Sequence, residues 1–204
     1  MGRDVTNFKI VDLEQGTPEW LEWRSNGIGA SDVPTILGEN PWKDREQLFF
    51  EKCNPKFSQS QSSAMARGIR LEPIARAAYI ERIGKTVAPA CLQSLDRAWL
   101  RCSVDGITES LDQIVEIKCG ESSYKIAKKN RTIPIYYYGQ LQYILTITNI
   151  QEIDVWNYSP LGKPILIRIS KNDWYCKRML KDVSAFWERV DSYLDAYGKR
   201  PDRS

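Results

Sequence analysis

The sequence predicts one domain of the α/β or α+β class, with a central mixed sheet flanked by helices. Helix-like periodicity at both ends of the chain and strand-like alternation in its middle support this class. The chain has 204 residues, of which 42% are hydrophobic and 27% are charged. This length suffices for one well-buried core and is short for two, so we expect residues 1–204 to form a single domain.

The first third of the chain is predicted to be helical. Thr17 suits an N-cap, Pro18 suits the first helical position, and Ser31 provides a second capping signal. Further on, Ile69 and Ile74 belong to an apolar pattern with helical spacing. Helices are expected over Pro18–Ser25, from Ser31 to Gly38, over Asp44–Lys52 and from Ser62 to Ile83.

Strand-like alternation replaces helical periodicity from Lys85 to Lys118. A basic amphipathic segment, Tyr124–Arg131, follows it. The remaining expected elements are a helix from Pro134 to Thr148, strands over Ile150–Tyr158 and Pro164–Ile169, and a helix over Asn172–Tyr197. This succession is typical of a sheet with helices packed on it.

Composition narrows the possible chemistry. The chain has no histidine, which excludes Ser-His-Asp and Cys-His catalysis, HNH-type nucleases and the usual zinc hydrolase sites. Its five cysteines lack C-x-x-C spacing, and we interpret them as small buried residues. The net charge of +3 neither favours nor excludes binding to nucleic acid. Because no signal peptide and no apolar run of ~20 residues is apparent, we expect a cytoplasmic protein without a membrane segment.

Two strand-like segments in the middle of the chain place charged residues beside strand-forming ones. Alternation along a strand puts Glu116 and Lys118 on one face, with Val115 and Ile117 on the opposite, core face. We expect Asp105 to end the preceding strand, followed by a glycine turn at position 106. Such a hairpin would return the Asp105 carboxylate to Glu116.

Two carboxylates and a lysine suit a magnesium-dependent site that cleaves phosphodiesters. Magnesium prefers oxygen ligands and keeps several waters, so Asp105, Glu116, the main-chain carbonyl of Ile117 and a substrate phosphate would suffice. Manganese is an alternative ion. Lys118 would orient or deprotonate the attacking water, or stabilise charge at phosphorus. On these residues alone, an amphipathic hairpin with an incidental Asp, Glu and Lys remains the commoner explanation.

Three further segments surround this core in sequence: Trp20–Val33, Arg67–Arg76 and Gly139–Tyr143. Together with the core they resemble the YqaJ-like viral recombinase family, to which the lambda-type phage exonucleases belong. The segments follow the family's order from Trp20 to Trp156, about two thirds of the chain. Val104 replaces the proline of the family's PD-(D/E)xK pattern, a substitution that this loose pattern tolerates.

The resemblance implies a restriction-endonuclease-like core and a magnesium-dependent 5′→3′ exonuclease. Such an enzyme digests one strand of linear double-stranded DNA from its ends, releases 5′-mononucleotides and leaves 3′ single strands for recombination. The resemblance also implies a homotrimer ring, a phage single-strand annealing protein as partner, and a phage or prophage gene expressed in a bacterial host.

The resemblance also suggests roles for Glu72 and Gln140. Glu72 forms either a surface ion pair with Arg76 at i, i+4 or a metal contact through water. Gln140 is either a solvated helix residue or, with Tyr137 one turn before it, a group that holds the attacking water or a DNA phosphate.

A possible 5′-phosphate pocket lies near the amino terminus. Arg24 and Ser31 are either a surface arginine and a helix cap, or a guanidinium and a hydroxyl that bind a terminal phosphate. Gly27 and Gly29 would let that phosphate approach the main chain closely.

Basic residues downstream are either a solvated face or non-specific DNA contacts that weaken with salt. They are Lys125, Lys128, Lys129 and Arg131. Two other functions remain open: a structure-selective or restriction-type endonuclease with the same core, and a non-catalytic scaffold that binds DNA ends.

Overall fold

A mixed six-stranded sheet with strand order β1-β2-β3-β4-β5-β6 forms the centre of the protein. The computed structural model describes residues 7–54 and 63–197. The strands are β1 (Phe8–Val11), β2 (Val87–Ser94), β3 (Arg101–Thr108), β4 (Ile114–Lys118), β5 (Glu152–Ser159) and β6 (Gly162–Ser170). Only β4 and β5 pair in parallel, because the chain crosses between them through two helices.

Seven α-helices and one 3-10 turn complete the described part of the chain. The helices are α1 (Pro18–Ser25), α2 (Val33–Ile36), α3 (Arg45–Cys53), α4 (Ser63–Ile83), α5 (Glu121–Asn130), α6 (Ile135–Thr148) and α7 (Asp173–Ala196). The 3-10 turn, Ala30–Asp32, leads directly into α2. Within residues 7–54 and 63–197, no helix has the length and apolar character needed to cross a bilayer.

Both faces of the sheet are covered. On one face, Ile114 packs in a large core with residues such as Ile144 of α6 and Phe186 of α7. On the other, Val115 and Ile117 pack with Tyr79 of α4. The predicted alternation along β4 is therefore confirmed. Because helices also cover the opposite face, the charged residues of β4 lie within the protein rather than on a solvated surface.

The predicted helix over Pro18–Ser25 is confirmed, and the side chain of Thr17 caps it by accepting the N–H of Trp20 at 3.2 Å. The long fourth helix is also present, although its expected first residue, Ser62, lies outside the described residues. Its predicted apolar face was wrong in part, because Ile69 and Ile74 are each 55% exposed. The face that meets the sheet instead carries Ala75 and Tyr79, so periodicity identified the helix without identifying the covered stripe.

The helix predicted from Ser31 to Gly38 is shorter than expected. It consists of the 3-10 turn and the four residues of α2, and Gly38 ends the segment with φ +72°. The carboxylate of Asp32 accepts the N–H of Gly29 at 2.9 Å, which draws the preceding loop against this turn. Since a single helical turn has a small dipole, side-chain charge rather than a helix terminus dominates the electrostatics here.

The expected turn at Gly106 was wrong. Gly106 lies inside β3, and the hairpin reverses further along, in residues 109–113. A Cβ at this position would lie 2.7 Å from Cγ2 of Val87 and 2.8 Å from Cγ1 of Val115, so close packing rather than a turn requires glycine. Strand β1 was not predicted either, because four residues are too few to show a clear alternation.

Strand β3 carries a bulge at Asp105–Gly106. Ala88 pairs with Ile107 and Ala90 pairs with Val104, so β3 contains one more residue than β2 between these pairs. A bulge bends its strand and redirects a side chain, and such bulges are common beside active sites. Asp105 lies in this bulge, next to β4.

Candidate active site

The Asp105 carboxylate reaches the neighbouring strand. Its Oδ2 atom accepts the N–H of Ile117 at 2.6 Å, which joins the bulge of β3 to β4. The Asp105 carbonyl accepts a hydrogen bond from Nε of Arg76 on α4, also at 2.6 Å. Asp105 is thus held from two sides, although by a different route from the expected hairpin turn.

Glu116, Lys118 and Gln140 form a closed triangle of hydrogen bonds. Oε1 of Glu116 accepts from Nζ of Lys118 at 2.8 Å and from Nε2 of Gln140 at 2.6 Å. Nζ of Lys118 also donates to Oε1 of Gln140 at 3.3 Å. Glu116 and Lys118 of β4 therefore orient the side-chain amide of Gln140 on α6. Gln140 is buried rather than solvated.

Lys118 also lies against an aromatic ring. Its Nζ is 4.0 Å from the ring centre of Tyr137, one turn before Gln140 on α6. Burial opposes the charged form of Lys118, but the charge and hydrogen bond of Glu116, together with Tyr137 and Asp105, outweigh it and raise the pKa of Lys118. The ammonium is thus held in its charged form between a carboxylate and a π face.

Glu72 approaches the same cluster from α4. It forms an ion pair with Arg76, as expected for the i, i+4 spacing. Burial and the charge of Glu116 raise the pKa of Glu72 despite that pair. Burial and the charges of Glu116 and Glu72 likewise raise the pKa of Asp105 well above its usual value. Three carboxylates therefore repel one another in a partly desolvated space.

A divalent cation fits this donor set. Oε2 of Glu116 is buried without a hydrogen-bond partner, which is unfavourable in free energy. A bound metal ion would provide the missing partner. In residues 7–54 and 63–197, no three side chains of His, Cys, Asp or Glu form a ready-made metal cage. Two carboxylates supplemented by water and other oxygens can hold a hard divalent cation, which does not require an all-protein cage.

A small cavity of about 60 Å³ adjoins the cluster. Gln140 lines it, so the same side chain borders both the carboxylates and the cavity. The other lining residues are Trp20, Trp23, Arg24, Gly29, Ala30, Ser31, Arg101, Cys102 and Ser103. Arg24, Gly29 and Ser31 were expected to share a pocket, and the cavity brings these three together.

The loop beside the cavity is fixed by main-chain contacts. Ile28 forms a bridge with Leu100, and its carbonyl accepts from the main chain of Arg101 at 3.1 Å and from the hydroxyl of Tyr143 at 2.8 Å. Gly27 lies so close to the sheet that a Cβ would be 2.5 Å from the carbonyl oxygen of Trp99. Gly27 therefore serves the loop's packing, and it does not line the cavity.

A buried ion pair supports the loop from beneath. Nζ of Lys52 lies 2.7 Å from Oδ2 of Asp32 and donates to the carbonyl of Gly27 at 2.8 Å. Asp32 also lies 3.7 Å from the guanidinium of Arg24, which donates a hydrogen bond to the hydroxyl of Ser31. The Lys52 and Arg24 charges lower the pKa of Asp32 although burial opposes this. Arg24 is consequently held by Asp32 and Ser31, and its guanidinium lies over the ring of Trp20.

The basic residues of the α5 region do not line the cavity. Lys125, Lys128 and Lys129 are exposed on α5, and Arg131 follows in a left-handed conformation with φ 53°. Lys125 lies 4.0 Å from Glu121 on the same helix. These residues form an exposed cationic surface on the helix that directly follows β4.

Arg101 and Ser103 are cavity residues that sequence reasoning missed. They precede Asp105 by four and two positions, so strand alternation alone would have placed all three on one face of β3. Trp20 joins them, because its Nε1 donates to Oγ of Ser103 at 2.8 Å. No local sequence pattern indicated that Asp32 and Lys52 form an ion pair beneath the loop, since the two residues are distant in sequence.

The match to a known family covers nearly the same part of the chain as the sequence segments that run from Trp20 to Trp156. The sequence profile of the YqaJ-like viral recombinase domain matches residues 19–151. The uncharacterized protein YqaJ of Bacillus subtilis (strain 168) is 33% identical over 180 residues, covering 85% of this chain and 56% of that protein. The uncharacterized protein R354 of Acanthamoeba polyphaga mimivirus is 24% identical over 160 residues, covering 72% and 29%. The chain thus spans about half or less of these curated relatives.

Solved structures agree with the fold. The alkaline exonuclease LHK-Exo from Laribacter hongkongensis superposes with a TM-score of 0.78 at 25% identity, over 90% of this chain and 97% of the enzyme. Its complex with dAMP gives 0.79 at 24% identity, with the same coverage. A phage-related exonuclease from Haemophilus somnus 129PT gives 0.62 at 12% identity, over 84% and 96%, and supports the fold alone. The expected restriction-endonuclease-like core is thereby confirmed.

Proposed function

Since the chain belongs to the YqaJ-like viral recombinase domain family and is a homologue of an alkaline exonuclease, we propose that it is a DNA exonuclease acting in recombination. It digests one strand of linear double-stranded DNA in the 5′→3′ direction, releases 5′-mononucleotides and leaves 3′ single strands. The observation that carries this proposal is Gln140, which contacts Glu116 and Lys118 and also borders the cationic cavity.

In this proposal Asp105 and Glu116 hold a magnesium ion, with the Ile117 carbonyl as a further ligand and Glu72 acting through water. Manganese can replace magnesium. When bound, such an ion would supply Lewis-acid activation of the scissile phosphate and would lower the pKa of a coordinated water. The support is the partnerless Oε2 of Glu116 and the mutual repulsion of the carboxylates.

The remaining residues position the reactants. The Lys118 ammonium stabilises the negative charge that develops on the phosphate oxygens, since Glu116 and Tyr137 hold it in place. Gln140 orients the attacking water or the phosphate with its amide, whose direction is set by its contacts with Lys118 and Glu116. Lys118 and Gln140 thus need little rearrangement before the bond breaks.

Directionality follows from the cavity. Arg24 and Ser31 bind the 5′-terminal phosphate of the digested strand, and the main chain at Gly29 approaches it closely. Gly27 contributes by packing the loop rather than by touching the phosphate. Each cleavage leaves a new 5′-phosphate, which this pocket receives before the next step. Gln140 lines this pocket and also contacts Glu116 and Lys118, which supports a position of the pocket next to the proposed catalytic residues.

The exposed residues Lys125, Lys128, Lys129 and Arg131 contact the DNA backbone without reading its sequence. The Tyr137 ring lies against Lys118, and in this proposal it contacts the DNA strand there. A homotrimer ring and a phage single-strand annealing protein are further parts of the proposal. Light scattering of the purified chain tests the trimer, and a monomeric mass combined with processive digestion would contradict the ring.

Digestion of a linear duplex with one labelled 5′ end tests the central proposal. We expect magnesium-dependent release of labelled mononucleotide and a residual 3′ strand. A closed circular duplex should remain intact, whereas a restriction-type or structure-selective endonuclease would linearise or nick it. Binding of DNA ends without any metal-dependent cleavage would instead identify a non-catalytic scaffold.

A further inference from the structure

We propose that Arg101 provides a second phosphate-binding guanidinium in the cavity, which makes the site selective for a terminal phosphomonoester dianion. This inference rests on the proposed function, because it deepens the pocket assigned there to Arg24 and Ser31. Arg101 lies on β3, and the sequence analysis predicted no binding role for it.

The Arg101 side chain is held in a fixed position. Nε donates to the carbonyl of Ala98 at 2.9 Å, and another guanidinium nitrogen donates to the carbonyl of Trp23. The guanidinium carbon lies 5.3 Å from the ring centre of Trp23. A Cβ on Gly27 would lie 2.9 Å from Cδ and Nε of Arg101, so the loop packs directly on this side chain.

The charge of Arg101 has no anionic partner in the described chain. Within residues 7–54 and 63–197, no carboxylate lies within 4.0 Å of its guanidinium, and its Nη2 atom makes no hydrogen bond. Arg24, in contrast, has Asp32 at 3.7 Å. Burial lowers the pKa of Arg101 to about 10, which leaves it charged at neutral pH but poorly solvated. An incoming anion would relieve this condition.

Positive charge exceeds negative charge around the loop. Burial lowers the pKa of Lys52, and the neighbouring Arg24 and Arg101 charges act in the same direction while Asp32 opposes them. These three cations are therefore close enough to interact, and Asp32 is the carboxylate that faces them. The imbalance of two charges matches a phosphomonoester dianion, whereas an internal phosphodiester carries one charge.

The geometry also suits phosphate. Arg101 and Arg24 line the same cavity, together with the hydroxyls of Ser31 and Ser103. Carbonyls hold Nε and one terminal nitrogen of Arg101, so its remaining Nη2 would donate to a phosphate oxygen from a fixed direction, which a flexible lysine would not reproduce. Because Arg101 and Asp105 belong to one strand, the position of the terminal phosphate is fixed relative to the carboxylates by the backbone of β3.

The test compares the wild type with Arg101→Gln and Arg101→Lys, and uses Arg97→Gln, an exposed arginine in the preceding loop, as the matched control. The readout is the ratio of kcat/KM on linear duplexes with 5′-phosphate and 5′-hydroxyl ends. We expect Arg101→Gln to lower this ratio on the order of tenfold to a hundredfold. Arg101→Lys should give an intermediate ratio, and Arg97→Gln the wild-type ratio.

A purely structural role for Arg101 would change the melting temperature and both rates equally, leaving the ratio intact, and that result overturns the inference. Titration calorimetry with inorganic phosphate, and with dAMP against deoxyadenosine, in EDTA, provides a readout that does not need catalysis. We expect the wild type to bind phosphate and dAMP at least tenfold more tightly than Arg101→Lys does.

These measurements separate the two proposals. If the wild type binds phosphate through Arg101 but cleaves no DNA, the proposed nuclease function fails and the inference holds. If the wild type digests DNA but neither prefers a 5′-phosphate nor binds phosphate in EDTA, the inference fails alone. Should Arg101→Gln not fold, the Arg101→Lys ratio and the calorimetry decide the outcome in the same way.

Discussion

The carboxylate cluster and the cationic cavity are built from opposite charges on one strand. At the bulge of β3, Asp105 faces Glu116 and Glu72, and the carboxylates repel one another. Four residues earlier, Arg101 lies in a group where cations outnumber carboxylates. Each region is electrostatically incomplete, and each would be completed by a charge that a DNA end and its metal ion supply. In the proposed function, the metal ion completes the first region and the terminal phosphate completes the second.

The two regions also differ in how they are held. Glu116 and Lys118 are placed by strand alternation, and Gln140 by the opposing helix, so the cluster rests on regular elements. The cavity depends on a loop, 27–31, which is fixed by the buried Asp32–Lys52 pair and by main-chain contacts to the sheet. Substitutions should therefore affect chemistry in the first region and end recognition in the second.

The largest expected effect is loss of a carboxylate that is proposed to bind the metal ion. Asp105→Asn or Glu116→Gln should lower the cleavage rate at least about 10⁴-fold, because the ion loses a charged ligand. In EDTA the melting temperature of Asp105→Asn should be unchanged or higher, since one repelling carboxylate is gone, whereas Glu116→Gln should lower it because Lys118 loses its ion-pair partner. Added magnesium should raise the melting temperature of the wild type but not of the variants. Asp96→Asn, at an exposed position, is the control, and equal magnesium responses in all proteins would contradict the assignment.

Removal of the lysine should separate binding from chemistry within the first region. Lys118→Ala is expected to reduce the single-turnover cleavage rate by roughly 10²–10⁴-fold, because charge developing on the phosphate is no longer stabilised. Magnesium affinity measured by calorimetry and DNA affinity measured in calcium should stay within a few-fold of wild type. Near-normal turnover would remove Lys118 from the mechanism.

In the second region, Arg24→Ala should affect recognition of the end rather than the metal. The lost charge-assisted contact corresponds to about 1.5–3 kcal/mol. Processivity and the preference for 5′-phosphate over 5′-hydroxyl ends should therefore fall, while magnesium affinity is unchanged. Arg97→Ala serves as the surface control. If both end types are digested as processively by Arg24→Ala as by wild type, Arg24 has no part in a phosphate pocket.

Breaking the support beneath the loop should act mainly on stability. Asp32→Asn leaves Lys52 buried without its carboxylate, which is expected to reduce the free energy of unfolding by about 3 kcal/mol. The folded-state pKa of Asp32 is lowered, so its contribution is present above its ordinary value near pH 4 and is lost as pH falls below that range. Urea unfolding from pH 3 to pH 7 should show a smaller acid loss in Asp32→Asn. Parallel curves for the two proteins would contradict this.

The smallest effect is expected outside both regions. Lys128→Ala combined with Lys129→Ala should weaken duplex binding a few-fold and reduce the slope of log Kd against log salt by roughly 1–2. Catalysis at saturating DNA should not change, because these residues are exposed on α5. A Lys181→Ala variant, altered on the exposed part of α7, tests whether loss of any surface charge suffices. An unchanged slope in the double variant would leave α5 without a DNA contact.

Local sequence signals were strong where neighbouring residues alone decide the geometry. Thr17 and Pro18 identified α1, and alternation separated Glu116 from Ile117 across β4. The same alternation, applied to β3, would have grouped Arg101 with Ser103. These signals work because helix and strand periods are properties of the backbone.

Other features needed contacts between distant parts of the chain. Gly106 suggested a turn, yet packing between Val87 and Val115 accounts for it. The exposure of Ile69 and Ile74 follows from which stripe of α4 meets the sheet, and a single helix does not encode that choice. Strand β1 is defined by its pairing with β2, since its four residues are too few to show a clear alternation of polar and apolar side chains.

By itself, the sequence determined the class of fold, the order of most elements and the residue types available for catalysis, because each depends on local backbone preference and side-chain chemistry. Only the tertiary structure decided that the β3 bulge turns Asp105 toward β4, that Gln140 borders both regions, and that Arg101 lacks a carboxylate partner. These features depend on burial and on distances between segments far apart in sequence. Burial and distance set the strength of charge interactions, and they exist only once the chain has folded.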